Sequence, residues 1–139
     1  MFTGFQTKNT GRKMMDVNKF AGLLMPVLPV DWEKVSFCAY VVNGDFEMFY
    51  YCFTKGKAEP IRFSELGKEY RITKEMIDQT FESIESLLSA YRATQKKQFS
   101  SLTLVFDFSM KFSLKLEYEP VSETDVTDYE STWKERNRI

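Results

Sequence analysis

The spacing of apolar positions changes character several times along the chain, and each change predicts an element. Val17, Phe20, Ala21, Leu24 and Leu28 recur at helical spacing. Asp16 stands where a helix N-cap belongs, and Pro26 and Pro29 force a kinked end. From Lys34 to Thr54 the apolar residues run almost unbroken on either side of Asn43-Gly44-Asp45. Asn-Gly between apolar runs predicts a tight hairpin. A two-residue turn sets Tyr40 opposite Glu47, Cys38 opposite Phe49 and Val35 opposite Cys52. The two thiols then lie on opposite faces of the sheet. The second strand is apolar on both faces, through Phe46, Met48, Tyr50 and Cys52 on one and Phe49, Tyr51 and Phe53 on the other. It is expected to be a central strand with cover on both sides. Lys55-Gly56-Lys57 reads as a turn, and Pro60 to Phe63 as a short edge strand.

A longer helix follows. Thr73 is its expected N-cap, with Ile72 and Ile77 as a hydrophobic staple. Ile77, Phe81, Ile84, Leu88 and Tyr91 form one core-facing stripe. Ser101 to Tyr118 then alternates as a second hairpin. A two-residue turn there would throw its apolar rows onto opposite faces. A three-residue loop, Ser109-Met110-Lys111, keeps them together and pairs Phe108 with Phe112 and Phe106 with Leu114. The tail from Pro120 is polar; Ser122 to Asp125 reads as a helix start, and Tyr129 and Trp133 fall on one helical face. Residues 1–15 lack periodicity and read as a disordered leader or an extension from an upstream start. Residues 16–139 read as a single domain. The expected fold is α+β: an antiparallel sheet of four to five strands packed by one long helix, with short N- and C-terminal helices.

Composition narrows what this fold can do. The 139 residues include no histidine, so Ser-His-Asp and Cys-His catalysis and His-based metal sites are excluded. Cys38 and Cys52 are the only thiols and read as reduced, packed side chains rather than a disulfide framework. No phosphate-binding glycine loop, CxxC or EF-hand pattern occurs. Phe20 to Val30 is the longest apolar run, too short to span a bilayer and followed by Asp31-Trp32-Glu33 instead of a cleavage site. The expectation is a cytoplasmic protein that is not an enzyme, needs no cofactor and binds no membrane.

The net charge of −1 conceals a segregation. Glu117, Glu119, Glu123, Asp125, Asp128 and Glu130 share one stretch with no Lys or Arg. The preceding segment holds Arg92, Lys96, Lys97, Lys111 and Lys115 against Asp107 alone. An acidic surface of this kind suits a basic partner, because complementary charge accelerates encounter and selects against wrong partners. Those six acids, with Tyr129 and Trp133 as aromatic anchors, form the candidate contact surface. Two other readings remain. The acids could supply a carboxylate pair or a Mg²⁺ site for a carboxylate-dependent enzyme, although nothing supplies a base that titrates near neutrality. The basic segment with Phe99, Phe106, Phe108 and Phe112 could serve a small regulatory or nucleic-acid-binding protein, although its aromatics alternate onto one face as core residues do.

Several segments together resemble the YezG-like family of bacterial antitoxin and immunity proteins. They are Phe20-Ala21-x-Leu23-Leu24, Pro29-x-Asp31-Trp32-Glu33-Lys34-Val35, Glu47-Met48-Phe49-Tyr50-Tyr51, Tyr70-Arg71-Ile72-Thr73 and Leu102-Thr103-Leu104. Tyr118-Glu119-x-x-Ser122-Glu123-Thr124-Asp125 and Tyr129-Glu130-x-x-x-Lys134 follow in the same order, so the resemblance covers residues 16–135. It implies a non-enzymatic protein that forms a one-to-one complex with a cognate polymorphic toxin domain in the cytoplasm. The toxin implied is a nuclease, delivered by secretion or contact-dependent inhibition, and the immunity protein itself does not bind nucleic acid.

Overall fold

A computed structural model describes residues 15–139 together with the short strand Phe5–Gln6. The elements in chain order are β1 (Phe5–Gln6), α1 (Val17–Leu24), β2 (Trp32–Val42), β3 (Asp45–Thr54) and β4 (Ile61–Arg62). They continue with α2 (Lys74–Ala93), β5 (Ser101–Asp107), β6 (Phe112–Glu117) and α3 (Val126–Asn137). The strands form one sheet in the order β1-β6-β5-β2-β3-β4. Strands β2 to β6 are joined by antiparallel pairings, and β1 runs parallel to β6 at Ser113 and Leu114. The fold is α+β, as expected. Of the anticipated leader, Phe5–Gln6 joins the sheet edge and Met15 is buried; the rest lies outside the described residues.

Local chemistry accounts for the helices. The Asp16 carboxylate accepts from the Lys19 N–H at 3.0 Å, and the chain beyond α1 tightens into a 3₁₀ turn at Met25–Val27 around Pro26. The Thr73 hydroxyl accepts from the Met76 N–H at 3.2 Å and caps α2. Ile77, Ile84, Leu88 and Tyr91 are buried along the predicted stripe, and Phe81 is half-buried beside Tyr50 and Phe63.

The alternation of each strand then sorts side chains onto two faces. On one, Val35, Phe37, Tyr50, Cys52, Leu102 and Leu104 meet α1 and α2 in the main core. On the other, Cys38, Tyr40, Phe49 and Tyr51 form a second, smaller core closed by Trp133 of α3. The first hairpin has the predicted register, with Tyr40 opposite Glu47, Cys38 opposite Phe49 and Val35 opposite Cys52. Asn43 and Gly44 have φ of 52° and 82°, the left-handed pair that such a turn requires. Both cysteines are free and buried on opposite faces. Burial raises each thiol to about 12. Strand β3 is covered on both faces, but β4 pairs with it only at Tyr51 and Cys52.

The second hairpin corrects the predicted register. Phe106, not Phe108, opposes Phe112, and Leu104 opposes Leu114. The parity survives, so the apolar rows stay together, but the three-residue loop shifts one residue back: the Asp107 N–H donates to the Lys111 carbonyl at 3.0 Å and leaves Phe108-Ser109-Met110 as the loop. Asp107 is the cause. Its carboxylate accepts from the Ser109 N–H at 2.9 Å, the Ser109 hydroxyl at 2.6 Å and the Lys111 N–H at 3.2 Å. This side-chain turn holds the loop in that position, and Met110 at φ 68° completes it. Phe108 is left 65% exposed.

Candidate functional site

A groove of about 450 Å³ runs between the end of β6, the connection that follows it, and α3. Ser100 and Ser101 lie along it, and Glu117, Glu119, Asp125, Asp128, Tyr129 and Arg136 supply its functional groups. Four carboxylates and one guanidinium thus line it. Two come from the end of β6 and beyond, and two from the 3₁₀ turn Glu123–Asp125 and the first turn of α3.

The groove is held from several sides. The Ser100 N–H donates to the Glu117 carbonyl at 2.7 Å, and its hydroxyl reaches the Glu119 carbonyl at 2.5 Å. This anchors the acidic segment to the start of β5. The Ser122 hydroxyl donates to the Asp125 carboxylate at 2.7 Å and sets the turn that opens α3. Arg136, near the other end of α3, pairs with Glu117 at 3.2 Å. Tyr129 stacks on Tyr40 at 4.0 Å between ring centroids, so the groove wall rests on the second core. Burial raises the Tyr129 phenol above its ordinary value, so it remains a neutral hydrogen-bonding group at physiological pH.

Five of the eight predicted contact residues, Glu117, Glu119, Asp125, Asp128 and Tyr129, therefore share one groove. The other three do not line it. Trp133 is wholly buried, not a surface anchor: its indole N–H donates to the Thr103 hydroxyl at 2.9 Å, and its ring meets Phe49 edge-on at 4.9 Å. Its apolar area is better satisfied against the sheet than in water. Glu130 turns toward the body of the protein, where Arg62 grips it through Nε at 2.7 Å and Nη2 at 2.8 Å and the Tyr51 hydroxyl also donates to it. Arg62 holds the Glu130 carboxyl below its usual range. Glu123 is exposed at the groove's outer end, where the Asn43 side-chain amide donates to it. Sequence spacing could not reveal Arg62 or Arg136 as partners of these acids. Arg62 lies 68 residues from Glu130 in the chain, and no local periodicity links them.

A further groove of about 470 Å³ lies between the segment after Lys57 and the 3₁₀ helix Phe63–Lys68. Four of its five charges are paired, Lys57 with Glu69 at 2.6 Å and Lys68 with Glu65 at 2.7 Å, and Glu59 is the fifth. Among the described residues, no group of three or more Cys, Asp or Glu side chains is placed to hold a metal ion, and no helix is long and apolar enough to cross a membrane.

The family model of the YezG-like immunity proteins matches residues 15–137. The immunity protein YezG of Bacillus spizizenii is 25% identical over 132 residues, which cover 90% of this chain and 82% of that protein. The type VII secretion system protein EsaG of Staphylococcus aureus is 26% identical over 104 residues, covering 73% and 64% respectively. YezG of Bacillus subtilis is 22% identical over 131 residues, covering 89% and 87%. With the match extending across α1, both hairpins, α2 and α3, the chain belongs to the YezG-like immunity protein family.

Proposed function

We propose that this immunity protein neutralises a cytotoxic nuclease domain in the cytoplasm, through a one-to-one complex in which its acidic groove covers the toxin's basic nucleic-acid path. The observation that carries this reading is the convergence of Glu117, Glu119, Asp125 and Asp128 on one groove in a chain of net charge −1. A nuclease must attract phosphates, so its substrate path is cationic. Carboxylates anchored beside β6 and at the start of α3 present a complementary field without large rearrangement. The contact set is therefore these four acids with Tyr129, and with Glu123 at the margin. Trp133 and Glu130 contribute by holding α3 in place. The protein acts through its surface, without turnover.

The test is co-expression with the C-terminal domain of the large secreted protein expected from the adjacent gene. Cells that die from this domain alone should survive when the immunity protein is present, and the two should co-purify in equal amounts. Death at normal immunity-protein levels would refute the pairing.

A further inference from the structure

The hydrogen-bond parity of the sheet reveals an open backbone edge beside the acidic surface. The Val41 N–H donates to the Ser100 carbonyl at 2.8 Å, so Val41 directs its backbone groups toward β5. Ala39, two residues earlier, does the same, because backbone direction alternates along a strand. Val41 opposes Phe46, and Ala39 opposes Met48. These are then non-hydrogen-bonded pairs of the β2–β3 ladder, and the N–H and C=O groups of Phe46 and Met48 point out of the sheet. Strand β4 reaches β3 only at Tyr51 and Cys52, and among the described residues no strand pairs with the outer side of 45–49.

The side chains along this edge are sorted by face. Asp45 and Glu47 are exposed on the α3 side, while Phe46 and Met48 are half-buried on the other. The hairpin from Val35 to Thr54 contains no Lys or Arg. Glu47 opposes Tyr40, which stacks on Tyr129 of the acidic groove, and Asn43 at the hairpin turn holds Glu123. These two contacts tie the edge to the acidic groove. Open edges invite strand addition, and proteins commonly blunt them with lysine or proline. Here the blunting charges are acidic. They oppose pairing with a second copy of this chain and favour a cationic strand.

We propose that the Asp45–Phe49 edge of β3 accepts an extended segment of the toxin domain in which Lys or Arg alternates with apolar residues. The segment's cations face Asp45 and Glu47, its apolar side chains meet Phe46 and Met48, and its backbone pairs with the outward groups of Phe46 and Met48. This inference rests on the immunity reading for the identity of the partner.

Two arms test it. A blocked heptapeptide of alternating Val and Lys, with a Val/Glu peptide as control, is titrated into the labelled protein. The amide protons of Phe46 and Met48 should become protected from exchange with the Val/Lys peptide alone. Met48→Pro removes one outward N–H while sparing the β2 ladder, and Glu47→Lys reverses a charge on an exposed side chain. Each should weaken peptide binding about tenfold, with the melting temperature of Glu47→Lys checked against the parent. Unprotected amides at saturating peptide, or unchanged affinity in both variants, would overturn the edge. The second arm is co-expression with the toxin domain. If the parent rescues cells and the Glu47→Lys/Met48→Pro double variant, confirmed folded, rescues them equally well, the edge is wrong and the immunity reading stands. If the parent fails to rescue while the peptide still protects both amides, the strand-accepting edge stands and the immunity reading falls.

Discussion

Trp133 shows how one side chain can bind an element to a fold. Helix α3 is weakly amphipathic, and Trp133 is its only fully buried residue. The indole fills the second core over Cys38, Phe49 and Tyr51 and satisfies the Thr103 hydroxyl. Trp133→Ala should cost about 3–5 kcal/mol in urea unfolding, from lost burial and the lost hydrogen bond to Thr103. Trp133→Phe keeps most of the ring and should cost appreciably less. Glu130 makes a pH-dependent contribution. Its carboxyl is held low by Arg62, so its stabilisation is fully present above the unfolded value of about 4.3 and is lost as pH falls through the folded value. Glu130→Gln should therefore destabilise the protein near neutrality by about 1–2 kcal/mol, with the gap from the parent closing as the solution is acidified. Paired denaturation series across that range would check it.

The two hairpins separate what local sequence specifies from what it leaves open. Asn43-Gly44 demands left-handed backbone at adjacent positions, and only one register follows. Gly44→Val should lower stability by about 1–2 kcal/mol, read from the midpoint of thermal or urea unfolding, because a β-branched residue is strained at φ 82°. The second hairpin was legible only in parity. Its apolar rows required an odd loop, but two odd loops satisfied that requirement. The Asp107 carboxylate favours Phe108-Ser109-Met110 over Ser109-Met110-Lys111 by making three local hydrogen bonds that alternation cannot register. Helix α2 was readable from cap and stripe because a long amphipathic helix announces both. For α3, the facing of Tyr129 and Trp133 was legible, but whether they pointed at the sheet or at a partner was not.

At the scale of the whole molecule, charge is organised by the way α3 folds back. Reversing Glu119, Asp125 and Asp128 to Lys together should lower the melting temperature modestly, since exposed charges contribute little but Asp125 and Asp128 hold and favour the start of α3. It should slow association with the toxin domain by one to two orders of magnitude, most strongly at low salt. Stopped-flow association at two ionic strengths would measure this. An unaltered rate at low salt would place the interface away from the groove. The triple variant also complements the β3 edge variants: groove charges act at long range on encounter, whereas edge hydrogen bonds act at contact on dissociation.

The sequence alone determined the α+β class, the first hairpin and its register, both principal helix caps, the opposed cysteines and the clustering of acids near the C-terminus. Each rests on relations between neighbours in the chain: periodicity, turn chemistry, capping or composition. Only tertiary structure decided that Trp133 is core, that Glu130 belongs to Arg62, and that Glu117, Glu119, Asp125 and Asp128 share one groove. It also decided that, among the described residues, no strand pairs with the outer side of β3 at 45–49. These facts depend on strand order and on where α3 docks. Both are set by the burial of surfaces far apart in sequence, where local preference carries no information about the partner.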